Sequence, residues 1–103
     1  MKITKEFVNQ EFFEQAIFEP FKLQLVGRIA RQGFSYKDID LLISLPKYPE
    51  ADKIFQAFEQ SLLNQGWEYY FSDENSEWGI FHNYQKRVGF NWVGLDIFIV
   101  ERN

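Results

Sequence analysis

The chain has no cysteine. That removes disulfides, thiolate zinc sites and thiol nucleophiles together. It also fits a reducing cytoplasm, the expected location, although secreted proteins can lack cysteine too. Long apolar runs are missing as well. The longest, Val93 to Val100, is interrupted by Asp96 and is too short to cross a bilayer. No continuous apolar stretch follows Lys2 and Lys5, which argues against a signal peptide. There is no block of like charges. Eleven Lys and Arg against fifteen Asp and Glu leave a net charge of −4, a balance that speaks against holding duplex nucleic acid through its phosphates. No internal repeat or linker interrupts the 103 residues.

What the chain does have is aromatic mass. Apolar residues make up 46% of it and aromatic ones 19%, with twelve Phe, three Trp and five Tyr. That composition excludes a disordered chain. The length predicts one domain over residues 1–103, enough for a single core but not for enclosing a large substrate.

Thr4 can cap a helix whose Phe7, Val8, Phe12, Phe13, Ala16 and Ile17 have amphipathic spacing, stopped by Pro20. Residues 22–26 alternate like a half-buried strand ending at Gly27. Residues 39–45 read as a second strand, closed by Pro46. Pro49 opens a helix with an apolar stripe of Ala51, Ile54, Phe55, Phe58 and Leu62, and Gly66 suits its C-terminus. Trp67 to Phe71 is then a short aromatic strand, and 72–76 a loop. Trp78 to Tyr84 and Val88 to Val100 are strands joined by a turn near Gln85-Lys86-Arg87. The expected fold class is α/β (or α+β), a mixed sheet of about four to five strands with helices mainly on one face.

Three carboxylates stand out. Asp38 and Asp40 are two apart, so on a strand they share a face with Leu42 and Ser44, opposite Ile39, Leu41, Ile43 and Leu45. Asp96 is the one charge in an apolar run. A lone ionised carboxylate in a buried strand is costly unless paired or metal-bound. Three brought together repel unless a divalent cation intervenes, and hard oxygen ligands suit Mg²⁺ or Mn²⁺. Plainer readings stand beside this one. Asp38 could close a turn, Asp40 could face solvent, and Asp96 could pair with Arg28, Arg31, Lys86 or Arg87. Upstream, Gly27 can turn without a Cβ, residues 28–31 can form a helical turn with free amides, and Gly33 can end it. Arg28, Arg31 and Lys37 concentrate positive charge there. A triphosphate would fit between these donors and a metal held by the aspartates.

Residues 25–43, LVGRIARQGFSYKDIDLLI, resemble the signature of the polymerase-beta-like nucleotidyltransferase superfamily. That pattern is an apolar residue and Gly, then Gly or Ser, a spacer of about ten residues, and Asp-apolar-Asp-apolar. Gly27, Asp38 and Asp40 fall on its fixed positions, and Asp96 matches the third carboxylate on a later strand. In size the chain is closest to the minimal nucleotidyltransferases. The resemblance implies transfer of a nucleoside monophosphate from an NTP, ATP first among candidates, to a hydroxyl with release of pyrophosphate. Asp38, Asp40 and Asp96 would be catalytic and metal-binding, with Asp96 also the general base. Gly27, Arg28, Arg31, Ser35 and Lys37 would hold the nucleotide. The family's usual Gly or Ser after Gly27 is Arg28 here. Its guanidinium would either swing outward onto a phosphate or fill the phosphate pocket.

Larger relatives bind the acceptor with a helical domain after the sheet, whereas these residues end just past the Asp96 strand. The resemblance therefore implies an acceptor surface from a homo-oligomer or from another protein, such as the helical HEPN-type partners of toxin–antitoxin pairs. A non-catalytic interaction module with the same fold is the alternative, and an RNA-binding sheet is disfavoured by the charge. The remaining conspicuous residues have plain readings. His82 is expected at a strand surface, Trp67 and Tyr69 to Phe71 in packing, Lys86 and Arg87 at a solvated hairpin turn, and Glu74 and Glu77 in a loop. Phe7, Phe12, Phe13 and Phe18 are expected on a buried helix face, partly exposed if the chain dimerises.

Overall fold

A computed structural model describes residues 1–76 and 79–102. It is a mixed α/β structure with one five-stranded and one two-stranded sheet. Strand β1 (Ile3–Thr4) leads into α1 (Lys5–Val8), where the Thr4 hydroxyl accepts the Phe7 N–H. The expected long first helix does not form. After Val8 the chain widens into a π turn over Asn9–Phe13, and Ala16–Phe18 is a separate 3₁₀ turn. Phe12 and Phe18 still reach the core, but Phe13 is exposed.

Strand β2 (Lys22–Val26) follows, then α2 (Gly27–Gln32), β3 (Phe34–Ser35) and β4 (Asp38–Leu45). Helix α2 starts at Gly27 with φ +72° and ends at Gly33 with φ +92°, both left-handed values open to glycine. Strand β3 pairs with β1, a ladder too short to be anticipated from pattern. Helix α3 (Glu50–Asn64) starts just after Pro49 and is followed by Gly66 at φ +96°. Strands β5 (Glu68–Ser76), β6 (Gly79–Val88) and β7 (Asn91–Glu101) complete the chain.

The large sheet runs β2-β4-β7-β6-β5, with β4 and β7 parallel and the other pairs antiparallel. One face carries the core. Ile39, Leu41, Ile43 and Leu45 of β4 and Val93, Leu95 and Ile97 of β7 meet Phe58 and Leu62 of α3, Ile29 of α2, and Phe12, Phe18 and Trp67. Each such side chain contributes about 1.5–3 kcal/mol by leaving water. Pleating sends the alternate residues of β4 and β7 to the opposite, open face.

Three expectations are corrected in the C-terminal half. Residues 72–76 are the second half of β5, held by β6 with a bulge between Tyr69 and Phe71. Residues 85–87 lie within β6, and the turn is at Gly89–Phe90. Lys86 therefore does not solvate a turn: its ammonium pairs with Glu11 and stands over the Trp67 ring. His82 is half-buried, its Nδ1 2.6 Å from the Ser72 hydroxyl and its ring against Phe55. Glu74 is an exposed strand residue, while Glu77 and Trp78 lie outside the described residues. No helix among the described residues is long and apolar enough to cross a membrane.

Candidate active site

Sheet register brings the three aspartates together. Asp40 on β4 lies beside Asp96 on β7, and Asp38 lies beside Gly94. Across the whole sheet, Val26, Asp40, Asp96, Asn83 and Phe71 form one row on the open face. The next row is Asp38, Gly94, Gln85 and Glu68.

Two glycines make the space for these carboxylates. A Cβ on Gly27 would overlap the Asp40 carboxylate, and one on Gly94 would overlap that of Asp38. Gly27 was expected from the turn it makes. The role of Gly94, and those of Asn83 and Gln85, depend on register between strands far apart in sequence and leave no local signal. Asn83 is only 4% exposed. Its Nδ2 donates to Asp96 Oδ1 at 2.7 Å, and its Oδ1 accepts from Gln85 Nε2 at 2.9 Å.

No cation forms an ion pair with Asp38, Asp40 or Asp96 among the described residues, so the structural ion pair weighed for Asp96 is absent. The three carboxyls are instead electrostatically disfavoured. Burial first, then the charges of Asp96 and Asp38, push Asp40 up to about 6, with Arg31 opposing. Burial also raises Asp38, against the pull of Lys37. Asp96 is raised by burial and by Asp38, and lowered by hydrogen bonds from Asn83 and Asp40.

A cavity of about 570 Å³ opens beside Asp38 and Asp40, and Asp96, next to Asp40 in the sheet, is not among its lining residues. Arg28, Arg31, Ser35 and Lys37 line one part, together with Gly27, Asp38 and Asp40. Leu42, Phe98, Ile99 and Val100 form an apolar wall. All five residues expected to hold a nucleotide therefore reach one cavity. The Arg28 side chain is exposed at its wall and leaves the space open. Ser35 is buried, and its hydroxyl accepts the Lys37 N–H at 3.1 Å, fixing the loop that delivers Asp38. Phe98, Phe81 and Phe71 continue the apolar surface across three strands, with ring centroids 5.4 and 6.0 Å apart.

Among the described residues no group of three His, Asp or Glu side chains is preassembled around one metal position. The donor set nevertheless fits a hard cation that substrate completes. Mg²⁺ is commonly held by one or two carboxylates plus phosphate oxygens rather than by a full protein cage. Asp38 and Asp40 on the cavity wall, with Asp96 beside Asp40, offer carboxylates of that kind facing Arg28, Arg31 and Lys37. Comparison of the sequence with models of known families and with characterised proteins gives no match.

Proposed function

We propose that this chain is a Mg²⁺-dependent nucleotidyltransferase. The observation that carries the reading is that Asp38 and Asp40, with Asp96 beside Asp40 in the sheet, face a cavity whose other polar wall is Arg28, Arg31 and Lys37. The signature of residues 25–43 and the mixed sheet with an open face support it. Arg28, Arg31 and Lys37 would bind the triphosphate, and Asp38, Asp40 and Asp96 would hold Mg²⁺. The bound cation would supply charge neutralisation at the phosphates.

Among the chain's own groups, Gly27 leaves room for Asp40, and Lys37 positions charge beside Asp38. Asp96 would take the proton of the acceptor hydroxyl. The acceptor oxygen then bonds to the α-phosphorus, the bond to the bridging oxygen of the β-phosphate breaks, and pyrophosphate leaves with that oxygen. The apolar wall of Leu42, Phe98 and Val100 would carry the base. A partner, whether a helical protein of the HEPN type or a second copy, would present the acceptor.

Transfer is tested with ATP labelled at the α- or the γ-phosphate, incubated with Mg²⁺ and acceptors that include hydroxyl-bearing proteins, RNA ends and the chain itself. The α-label should enter an acceptor as pyrophosphate appears, and Asp96→Asn should abolish both. Transfer of the γ-label, or none with any acceptor, contradicts it. A second reading, a non-catalytic interaction module, draws on the missing preassembled metal cage. It predicts indifference to Mg²⁺ and to every nucleotide.

A further inference from the structure

We infer that Asn83 and Gln85 form a polar relay that holds Asp96 in one orientation for a divalent cation. The inference rests on the metal reading above but concerns residues outside the signature. Asn83 lies directly across from Asp96 on the neighbouring strand and is buried. A buried amide must satisfy both of its ends, and here each end has one partner. Gln85 Nε2 donates to Asn83 Oδ1, so the carbonyl end of Asn83 is committed to Gln85. The Nδ2 end then faces Asp96 and donates to Oδ1.

Gln85 is itself placed by the gap over Gly94, where its Nε2 approaches the same space as the Asp38 carboxylate. One hydrogen-bond direction therefore runs from Gln85 through Asn83 to Asp96. Outer hydrogen bonds of this kind hold a ligating side chain in one orientation, and their loss commonly weakens metal binding 10- to 100-fold. Asn83 and Gln85 are positioning residues: neither needs to touch metal or substrate.

The direction of the relay can be reversed without changing its shape. Gln85→Glu replaces the donor by a carboxylate that only accepts. Asn83 must then turn Nδ2 toward position 85 and its carbonyl toward Asp96, which repels the Asp96 oxygen it formerly held. Gln85→Met removes the donor and leaves the Asn83 amide free to turn either way. Binding of Mn²⁺ alone, without nucleotide, is measured by electron paramagnetic resonance of the free ion for the native chain and both variants, with circular dichroism to check folding.

The relay predicts about 10-fold weaker Mn²⁺ binding in Gln85→Glu and a smaller loss in Gln85→Met. An added negative charge acting only through space would instead tighten Mn²⁺ binding. Tighter or unchanged binding in Gln85→Glu overturns the relay while leaving the metal reading standing. A packing role alone would weaken both variants equally, which also overturns it. Should Gln85→Glu not fold, native affinity in Gln85→Met overturns the relay. Absence of Mn²⁺ binding in the native chain overturns the relay, whereas the metal reading fails only if Mg²⁺-dependent nucleotide binding is absent too, so the two failures are read in different measurements.

Discussion

At pH 7.5 the open face carries three aspartates whose charges are opposed by burial and by one another, so Asp40→Asn is expected to stabilise the chain. Asp40 rises from 3.8 to about 6 in the folded state. A carboxyl raised on folding binds its proton more tightly when folded, so its contribution is full below the unfolded value and fades as pH climbs through the folded one. Native stability should therefore fall between about pH 4 and pH 6 and level off above. Two pKa units correspond to about 3 kcal/mol. Because Asp40 is only half-buried, solvent screening reduces that to about 1–2 kcal/mol. Asparagine keeps the shape and a hydrogen-bond donor toward Asp96 but cannot ionise.

Urea unfolding at pH 4.5, 6 and 7.5, with chelator present, measures the difference directly. Asp40→Asn should gain about 1–2 kcal/mol over the native chain at pH 7.5 and nearly nothing at pH 4.5. Equal stabilities at pH 7.5, or a variant less stable there, would refute the claim that the three carboxylates strain the fold.

Two further changes probe the supports of the site. Gly94→Ala puts a methyl where the Asp38 carboxylate lies, at a position that does not need a left-handed backbone. It should cost about 1–3 kcal/mol through overpacking and abolish Mg²⁺-dependent nucleotide binding in the folded variant, and retained binding would contradict the packing described for Asp38. Tyr84 is buried and donates its hydroxyl to Glu59 at 2.6 Å, an interaction that with burial pushes its ionisation up. Tyr84→Phe should cost about 1–2 kcal/mol in urea unfolding, and a loss below about 0.5 kcal/mol would assign that contact no structural weight.

What was legible in the sequence was written in short-range pattern. The alternation of residues 38–45 separated Asp38 and Asp40 from the core-facing Ile39, Leu41 and Ile43, and the strand forms with that parity. Asp96 stood out because one charge interrupts an apolar run. The start near Pro49 was readable too, but the helix expected to run to Pro20 breaks after Val8, because hydrophobic spacing alone does not distinguish an α-helix from π and 3₁₀ turns.

Strand β5 was misread because its second half is polar. It forms by pairing at the sheet edge rather than by burying side chains. The β6–β7 turn was placed too early because charged Lys86 looks like a turn residue. Its charge is in fact met by Glu11, 75 residues away. Asn83, Gln85 and Gly94 join the site only through lateral register, which no local window contains.

Whether the aspartates and the cationic cavity wall together make a metal–triphosphate site is tested most directly by thermal unfolding with ATP, GTP, CTP and UTP. Each nucleotide is added with and without Mg²⁺ to the native chain and to Asp38→Asn. At 100 times its dissociation constant a ligand adds about 2.7 kcal/mol, roughly 10 °C or more for a domain near this size. Such a site gives a rise of that order that requires Mg²⁺ and disappears in Asp38→Asn. No rise with any nucleotide, or one indifferent to both Mg²⁺ and Asp38, would contradict it.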